Sequence, residues 1–368
     1  MKRWIGGVLK WTGRTLWACG AALLSVWAIG QIATDRWHWS QYCFWIPTIF
    51  AVPAAGLAMA VGLAFRSLAG KRDEARASPR WRWSATGIAV TLLGSCVWVG
   101  WQWRIFAPKP AASDRKLRVI HWNATSDIGK AWPQRIMNRN PDLIVINPAS
   151  HQLCRELVSP DRPYGDPLYR HGFTVLSKYR IVRTAYTTLR ISLGTGIDPR
   201  KDDLVGQHKD HGRALMVELE SSEVFGRRLR VLCLDLPSDV SLHRGVSSAE
   251  ASRALASYAG PFSVLGEDGV WSQETPRLPG IGAPDLVLGD FNTPRGSRSL
   301  ERLTEGLGHV YDEAGRGPFG TWPYARPIWH LDHMFIAPWL RGVVYEPLDL
   351  GGGTHRGQLA DLAVREPS

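Results

Sequence analysis

The feature that most constrains the fold is a short apolar run that ends abruptly in polar side chains. Residues 286–292 read Leu-Val-Leu-Gly-Asp-Phe-Asn. Because Leu, Val and Leu leave no polar face, the run predicts an interior strand, and Gly289 allows a tight backbone turn at its end. Asp290 and Asn292 share one parity of this strand, so both side chains can point into one cleft. The alternative is a strand cap, in which Asp and Asn bond local backbone.

Three apolar stretches near the N-terminus predict a membrane domain. Residues 15–33, 43–65 and 85–103 each come close to the roughly 20 residues that a helix needs to cross a bilayer. Tryptophans cluster in or near these stretches, several of them at the ends, as is typical of the membrane interface. A cleaved signal peptide is the alternative for the first stretch, but no clear small-residue cleavage site precedes Gln31.

Basic residues flanking the three stretches predict the orientation in the membrane. Four precede the first stretch, one follows it and six separate the second from the third: Lys2, Arg3, Lys10 and Arg14; Arg36; Arg66, Lys71, Arg72, Arg76, Arg80 and Arg82. The positive-inside rule therefore predicts a multi-pass plasma-membrane protein with a cytoplasmic N-terminus and an extracytoplasmic C-terminal domain. The formal charge of +11 is then partly a membrane-flank effect, and it does not by itself indicate a nucleic-acid surface.

Composition divides the chain into three parts. Residues 1–106 form the predicted membrane domain, 107–116 a Pro/Ala-rich linker, and 117–366 a mixed α/β domain. The five cysteines show no spacing typical of a disulfide framework or a zinc site.

Polar residues recur at the ends of the predicted strands in the α/β part. Asn123 ends the strand 117–123, Asp332 lies near the start of another, and His355 precedes the last. Together with Asp290 and Asn292 they form a pattern in which strand ends converge on one place, which is typical of an active site.

This order of motifs resembles the endonuclease/exonuclease/phosphatase superfamily, which includes DNase I-like nucleases and inositol-phosphate phosphatases. The similarity covers residues 117–364, through GDFN at 289–292, LSKY at 176–179, GTWP at 320–323, LDHMF at 331–335 and THRGQLADLAV at 354–364. It implies an α/β fold, a DNase I-like four-layer sandwich of two packed β-sheets flanked by helices, here preceded by three transmembrane helices.

The resemblance also implies a chemistry for the site. Asp332 would orient His355, which activates a water molecule to attack phosphorus. Asp290 and Asn292, with a divalent metal, would stabilise the phosphoryl oxygens, and Asn123 would join Asn292 in binding substrate. The implied cofactor is Mg²⁺ or Mn²⁺.

The sequence departs from the family at the metal ligands. The position of the family's metal-binding Glu is Pro148, that of the Asp in its final Ser-Asp-His motif is Thr354, and Asp235 replaces a mid-chain His. The remaining candidate metal ligands are Asp290 and Asp235, and Glu156 or Asn147 is an alternative substitute. Loss of two anionic ligands should weaken the binding of a hard cation.

Two functions of different classes follow from this pattern. The first is a membrane-anchored hydrolase of phosphoesters, and the second is a pseudoenzyme that binds a phosphorylated ligand without turnover. The substrate or ligand would be a phosphorylated small molecule, a lipid head group or a nucleic acid, and the sequence does not choose among them.

Overall fold

The computed structural model describes residues 2–69, 79–108, 110, 117–124, 129–148, 157, 164–189, 191 and 212–366. The chain divides into two compact units, Met1–Phe106 and Ala107–Ser368. Most of the predicted linker, and Glu156, lie outside the described residues.

Helices make up the described part of the first unit. They are α1 (Lys2–Ala33), α2 (His38–Phe44), α3 (Thr48–Ala69) and α4 (Pro79–Gln102). Small residues let α1 and α3 approach closely, since a Cβ added at Gly13 would lie 2.6 Å from the Gly62 carbonyl oxygen and one at Gly20 2.7 Å from that of Ala55. Such contacts are common between helices in membranes.

Two helices of the described part are long and apolar enough to cross a membrane. They cover Trp4–Ala33 and Thr48–Ala69, with mean hydropathies of 1.6 and 2.0. They overlap the first two predicted spans, residues 15–33 and 43–65, although the second helix begins at Thr48 and ends at Ala69. The third predicted span falls on α4, which is helical but is not among these candidates. The prediction of three spans is therefore supported for two of them.

The second unit contains two β-sheets. Its strands are β1 (Leu117–Asn123), β2 (Leu143–Asn147), β3 (Leu168–Arg170), β4 (Phe173–Ser177), β5 (Ile181–Leu189), β6 (Gly212–Leu219), β7 (Leu229–Asp235), β8 (Phe262–Leu265), β9 (Trp271–Glu274), β10 (Leu286–Asp290), β11 (Gly308–His309), β12 (Asp332–Ile336), β13 (Leu340–Leu348) and β14 (Gly357–Val364). Its helices are α5 (Trp132–Met137), α6 (Ser222–Phe225), α7 (Arg244–Ala256), α8 (Arg298–Leu303) and α9 (Val310–Ala314).

Both sheets are mixed. The first has the order β13-β14-β1-β2-β4-β3 and the second β11-β12-β10-β7-β6-β5-β8-β9. Each contains one parallel pair, β1 with β2 and β7 with β10. A parallel pair needs a crossover connection, and α5 and α7 lie within these two connections.

Alternate residues of the central strands face the space between the sheets. Leu117 and Val119 of β1, Val231 and Cys233 of β7, and Leu288 of β10 belong to one buried apolar cluster. Two further clusters cover the outer faces, one with α5 against the first sheet and one with α7 and α8 against the second. The predicted arrangement of two packed sheets with helices outside is confirmed.

The inward-facing positions change from apolar to polar at one end of the strands. Because side chains alternate with period two, the continuation of each apolar series falls on a polar residue: Asn123, Asn147, Arg213, Asp235, Asp290 and Asp332. The fold thus collects polar side chains from both sheets at one edge of the sandwich.

Candidate active site

Asp290 is held at the end of β10 by the turn that follows it. Gly289 has a φ of 149°, and a Cβ there would lie 1.9 Å from the Leu234 carbonyl oxygen. Asn292 adopts a φ of 46°, which Asn tolerates better than most residues. Its backbone N–H donates to Asp290 Oδ1 at 2.8 Å, and its Nδ2 donates to the Leu236 carbonyl oxygen at 2.7 Å. The Asn292 amide is therefore anchored to backbone and the carboxylate is fixed.

Asn123 links the two sheets at this point. Its Nδ2 donates to Asp290 Oδ2 at 2.5 Å, and the buried Oδ1 has no hydrogen-bond partner within the described part of the chain. Both oxygens of Asp290 therefore accept a hydrogen bond, one from each sheet.

His355 and Asp332 form the second part of the site. The two atoms His355 Nδ1 and Asp332 Oδ2 lie 2.7 Å apart, and the His355 carbonyl oxygen accepts from Trp122 Nε1 at 3.2 Å. His355 Nε2 then faces Asp290 Oδ2 at 3.9 Å. The carboxylate on Nδ1 leaves Nε2 as the nitrogen that reaches the cleft.

Burial and the neighbouring carboxylates shift the pKa values of these groups in different directions. Burial disfavours the imidazolium of His355, but Asp332 and Asp290 outweigh it and raise its pKa to about 9. Burial, reinforced by the charge of Asp332, raises the pKa of Asp290 to about 8. Burial also acts to raise the pKa of Asp332, but His355 holds it below the usual value. A protonated His355 beside an ionised Asp332 is the resulting state near neutral pH.

Asp235 lies next to Asp290 across the parallel β7–β10 pair. Its carboxylate is bound by the guanidinium of Arg213, which is paired with it in register across β6 and β7. Burial raises the pKa of Asp235, while Arg213 opposes this. The carboxylate of Asp235, which the sequence analysis names as a candidate metal ligand, is therefore paired with Arg213.

Pro148 and Thr354 stand at the two family positions that lack carboxylates. Pro148 is half-buried and follows β2 directly, while Thr354 is exposed and its carbonyl oxygen accepts from Tyr324 N at 2.8 Å. Asn147, the alternative ligand, is buried, and its Oδ1 lies 2.6 Å from His121 Nε2.

One group near this edge has the composition of a metal site. Potential ligand atoms of Asp290, Asp332 and His355 all lie within 4.8 Å of one another. Two of the three are carboxylates, and Mg²⁺ is commonly held by one or two carboxylates while water molecules complete its shell. Both Asp290 oxygens already accept hydrogen bonds, Asp332 Oδ2 is engaged by His355, and Pro148 contributes no side-chain donor. Asp332 Oδ1 and Asn123 Oδ1 are buried and have no hydrogen-bond partner among the described residues, so the site offers oxygens to a divalent cation, although it has fewer carboxylates than the family pattern because of Pro148 and Thr354.

A second group, His309, His330 and His333, also lies within 4.8 Å, and the sequence analysis did not single it out. His309 Nδ1 accepts from Tyr311 N at 3.1 Å, so its Nε2 carries the proton and donates to His333 Nδ1 at 3.0 Å. His333 Nε2 then donates to the Thr293 carbonyl oxygen at 2.8 Å. Because both nitrogens of two rings are engaged, the trio is a hydrogen-bonded part of the core and not a ligand set.

A chain of side chains leads from this core to Asn147. Tyr345 OH lies 2.9 Å from His330 Nε2 and donates to Gln358 Oε1 at 2.9 Å, and Gln358 Nε2 lies 3.4 Å from His121 Nδ1. The sequence analysis did not find this chain, because Gln358 and Tyr345 come from strands far along the chain from His121.

The structure brings Asn123, Asp290, Asp332 and His355 together through direct contacts. Asn292 joins them through Asp290, and Asp235 lies one strand further along. The arrangement can orient an imidazole and present donors and charges to an anion at the edge of the sandwich.

Comparison with known proteins was made at the level of family, sequence and structure. The model of the Endonuclease/Exonuclease/phosphatase family matches residues 97–353. No curated protein matches the sequence.

Solved structures with similar folds share little sequence with this chain. A mannosyl-6-phosphatase from Bacteroides thetaiotaomicron is 14% identical, with 67% of this chain and 99% of that chain covered and a TM-score of 0.46. An endonuclease/exonuclease/phosphatase from Bacteroides vulgatus is 16% identical, with 68% and 99% covered and a TM-score of 0.44. The D. rerio TDP2 complexed with single-strand DNA product is 16% identical, with 67% and 99% covered and a TM-score of 0.42.

Proposed function

Because the chain belongs to the endonuclease/exonuclease/phosphatase family, we propose that it is a hydrolase of phosphoester bonds. The observation that carries this proposal is the His355–Asp332 pair, at 2.7 Å, beside an Asp290 that is fixed by donors from both sheets. A binding domain has little need of an imidazole that is oriented in this way.

In the proposed reaction His355 is the general base. Asp332 accepts from Nδ1–H, so that Nε2 can take a proton from the attacking water. The ring must first lose its own proton, because its pKa is raised to about 9. The amide of Asn292, next to Asp290, would then donate to the phosphoryl oxygens and stabilise them.

Mg²⁺ or Mn²⁺ is the cofactor that the family resemblance implies, and Asp290, Asp332 and Asn123 would hold it. The loss of the two family carboxylates gives the alternative function its support. If Pro148 and Thr354 mark the loss of catalysis, the domain is a pseudoenzyme that binds a phosphorylated ligand. The substrate classes left open are a phosphorylated small molecule, a lipid head group and a nucleic acid.

Turnover of bis-nitrophenyl phosphate and nitrophenyl phosphate by the full chain in detergent tests the proposal. His355→Ala and Asp290→Ala should each lower the rate by a factor of ~10²–10⁴, and Asp235→Ala should cost less. Since a general base must be unprotonated, the rate should rise with pH towards about 9. Arg228→Gln, at the far end of β6 and β7 beside Glu220, is the control and should keep the wild-type rate.

Absence of turnover with either compound, with and without Mn²⁺, would favour the pseudoenzyme. A rate that is equal in the wild type and His355→Ala would contradict the role of His355 as the general base.

We also propose that the domain is anchored in the plasma membrane by three spans, with α4 as the third, and that it lies outside the cytoplasm. The support is the pair of apolar helices and the positive-inside count. Alkaline phosphatase fused after Ser368 should be active. An inactive fusion, together with a fluorescent cytoplasmic reporter at the same position, would overturn this topology.

A further inference from the structure

The segment that carries His355 does not fix its own conformation. Residues 351–353 are three consecutive glycines, with φ values of 87°, 147° and 86°, and only Thr354 separates them from His355. Because glycine has more backbone freedom than any other residue, the position of the imidazole depends on contacts that other parts of the chain make with this segment.

A short hairpin, residues 320–329, makes such contacts from one side. Its two arms are joined by backbone hydrogen bonds. Tyr324 N donates to the Thr354 carbonyl oxygen at 2.8 Å, and Arg356 N donates to the Thr321 carbonyl oxygen at 2.8 Å. The hairpin therefore holds the chain immediately before and immediately after the histidine.

Trp122 holds the same segment from the first sheet. Its Nε1 donates to the His355 carbonyl oxygen at 3.2 Å, and the indole is fully buried against Trp132. The peptide group that follows His355 is thus held at both of its polar atoms, the oxygen by Trp122 and the N–H by Thr321.

The side chain of Thr321 reaches the other member of the pair. Its Oγ1 accepts from Leu331 N at 3.1 Å and from Asp332 N at 3.2 Å, where β12 begins. Thr321 is fully buried, and a buried N–H that loses its acceptor is costly. One residue therefore contacts the backbone on both sides of the His355–Asp332 hydrogen bond.

We propose that Thr321 and Trp122 are positioning residues that set the distance and angle between His355 and Asp332. Both are fully buried, so they act through the pair and not on the substrate. The inference rests on the proposed function only for the reaction that this positioning serves. It matters for that reaction because a small displacement of a catalytic group costs a large part of the rate.

Kinetics of Thr321 variants of the full chain in detergent, with bis-nitrophenyl phosphate as substrate, test the proposal. Thr321→Val keeps the shape of the side chain and removes the acceptor, and should lower kcat by about tenfold to a hundredfold without changing KM. Thr321→Ser keeps the hydroxyl and should keep most of the wild-type kcat. The matched control is Thr304→Val, because this buried threonine donates to the Leu300 carbonyl oxygen at 2.9 Å. It should lower stability and leave kcat unchanged.

Hydrogen exchange of the Arg356 amide, resolved by mass spectrometry, is a readout that needs no turnover. Thr321→Val leaves the Thr321 carbonyl oxygen in place, so Arg356 N keeps its acceptor. If Thr321 couples the two segments, this amide should still exchange about tenfold faster or more in Thr321→Val. It should exchange at the wild-type rate in Thr321→Ser and Thr304→Val. Faster exchange at Leu331 and Asp332 alone would show a purely local role and overturn the proposal.

Trp122→Phe tests the other contact and replaces Thr321→Val if that variant does not fold. Protection of the buried Cys233 thiol from a thiol reagent shows whether each variant is folded. Because Trp122→Phe removes the donor to the His355 carbonyl oxygen, it should give the same fall in kcat, an unchanged KM and faster exchange at Arg356.

A wild-type kcat, or an unchanged rate of Arg356 exchange, in folded Thr321→Val or Trp122→Phe overturns this inference. The proposed hydrolysis would survive that result. Faster Arg356 exchange in a protein whose wild type turns over neither nitrophenyl compound would support the coupling and remove the proposed hydrolysis.

Discussion

At the scale of single residues, the site depends on charges that are balanced in pairs. His355 is buried, which alone would lower its pKa, yet the carboxylates around it raise that pKa to about 9. Asp332 provides the direct hydrogen bond at 2.7 Å, whereas Asp290 lies at 3.9 Å from the other ring nitrogen. Asp332 should therefore have the larger effect on the ring.

Asp332→Asn should lower the pKa of His355 by about 1–3 units, because it removes the nearest opposite charge and leaves the burial. The pKa can be measured from the pH dependence of diethyl pyrocarbonate modification of His355, resolved by mass spectrometry. Asp268→Asn changes an exposed turn and should leave the profile unchanged. A profile in Asp332→Asn that matches the wild type would assign the raised pKa to Asp290 alone.

At the scale of elements, the turn after β10 fixes the position of Asp290. The backbone of Gly289 passes so close to Leu234 of β7 that no side chain fits. This close approach fixes the position of the next residue, Asp290, and of its carboxylate. The parallel pairing of β7 and β10 and the position of Asp290 are consequences of the same contact.

Gly289→Ala should destabilise the second unit by at least about 3 kcal/mol, since it adds a backbone clash to a φ of 149°. The measurement is the urea dependence of Cys233 labelling, because this thiol is fully buried on β7. Gly306→Ala is the matched control, with a φ of 77° and open space around the added Cβ, and should cost only ~1–2 kcal/mol. Equal losses in the two variants would contradict this account of the turn.

The sequence predicted those elements whose pattern is local. Apolar runs that end in Asp290 or Asn123 indicated strands and also the end of the strand at which the polar groups meet. Arg213 could not be found in this way, because its role depends on β6 pairing with β7 in one register, and an arginine at a strand start has no special pattern. The same holds for Gln358 and His121, which meet only because β14 pairs with β1.

At the scale of the whole molecule, buried histidines make the second unit sensitive to acid. His309, His330 and His333 are buried, and burial lowers the pKa of each, that of His333 to about 4. Such a group binds fewer protons in the folded than in the unfolded chain. Its contribution to stability is present above pH 6.5 and is lost as the pH falls towards 4.

His333 should contribute about 2 kcal/mol more to stability at pH 7.5 than at pH 5. We expect His333→Gln to lose this difference, because glutamine keeps hydrogen-bonding capacity without titrating in this range. Asp290, with its raised pKa, acts in the opposite direction in the same window. The comparison is therefore between wild type and variant at both pH values, from urea unfolding followed by Cys233 labelling.

A pH dependence of unfolding that is identical in the wild type and His333→Gln would show that His333 does not contribute. The other two histidines would then carry the acid sensitivity.

Each of the hydrogen-bonded pairs Asn123–Asp290 and His355–Asp332 has one member from the first sheet or its approach and one from the second, so both pairs cross the gap between the sheets. A ligand bound there would contact residues of both sheets and would therefore hold the two sheets together. Any small slip of one sheet over the other would dismantle the cleft while leaving each sheet intact. Ligand binding should therefore raise the force that is needed to separate the two sheets.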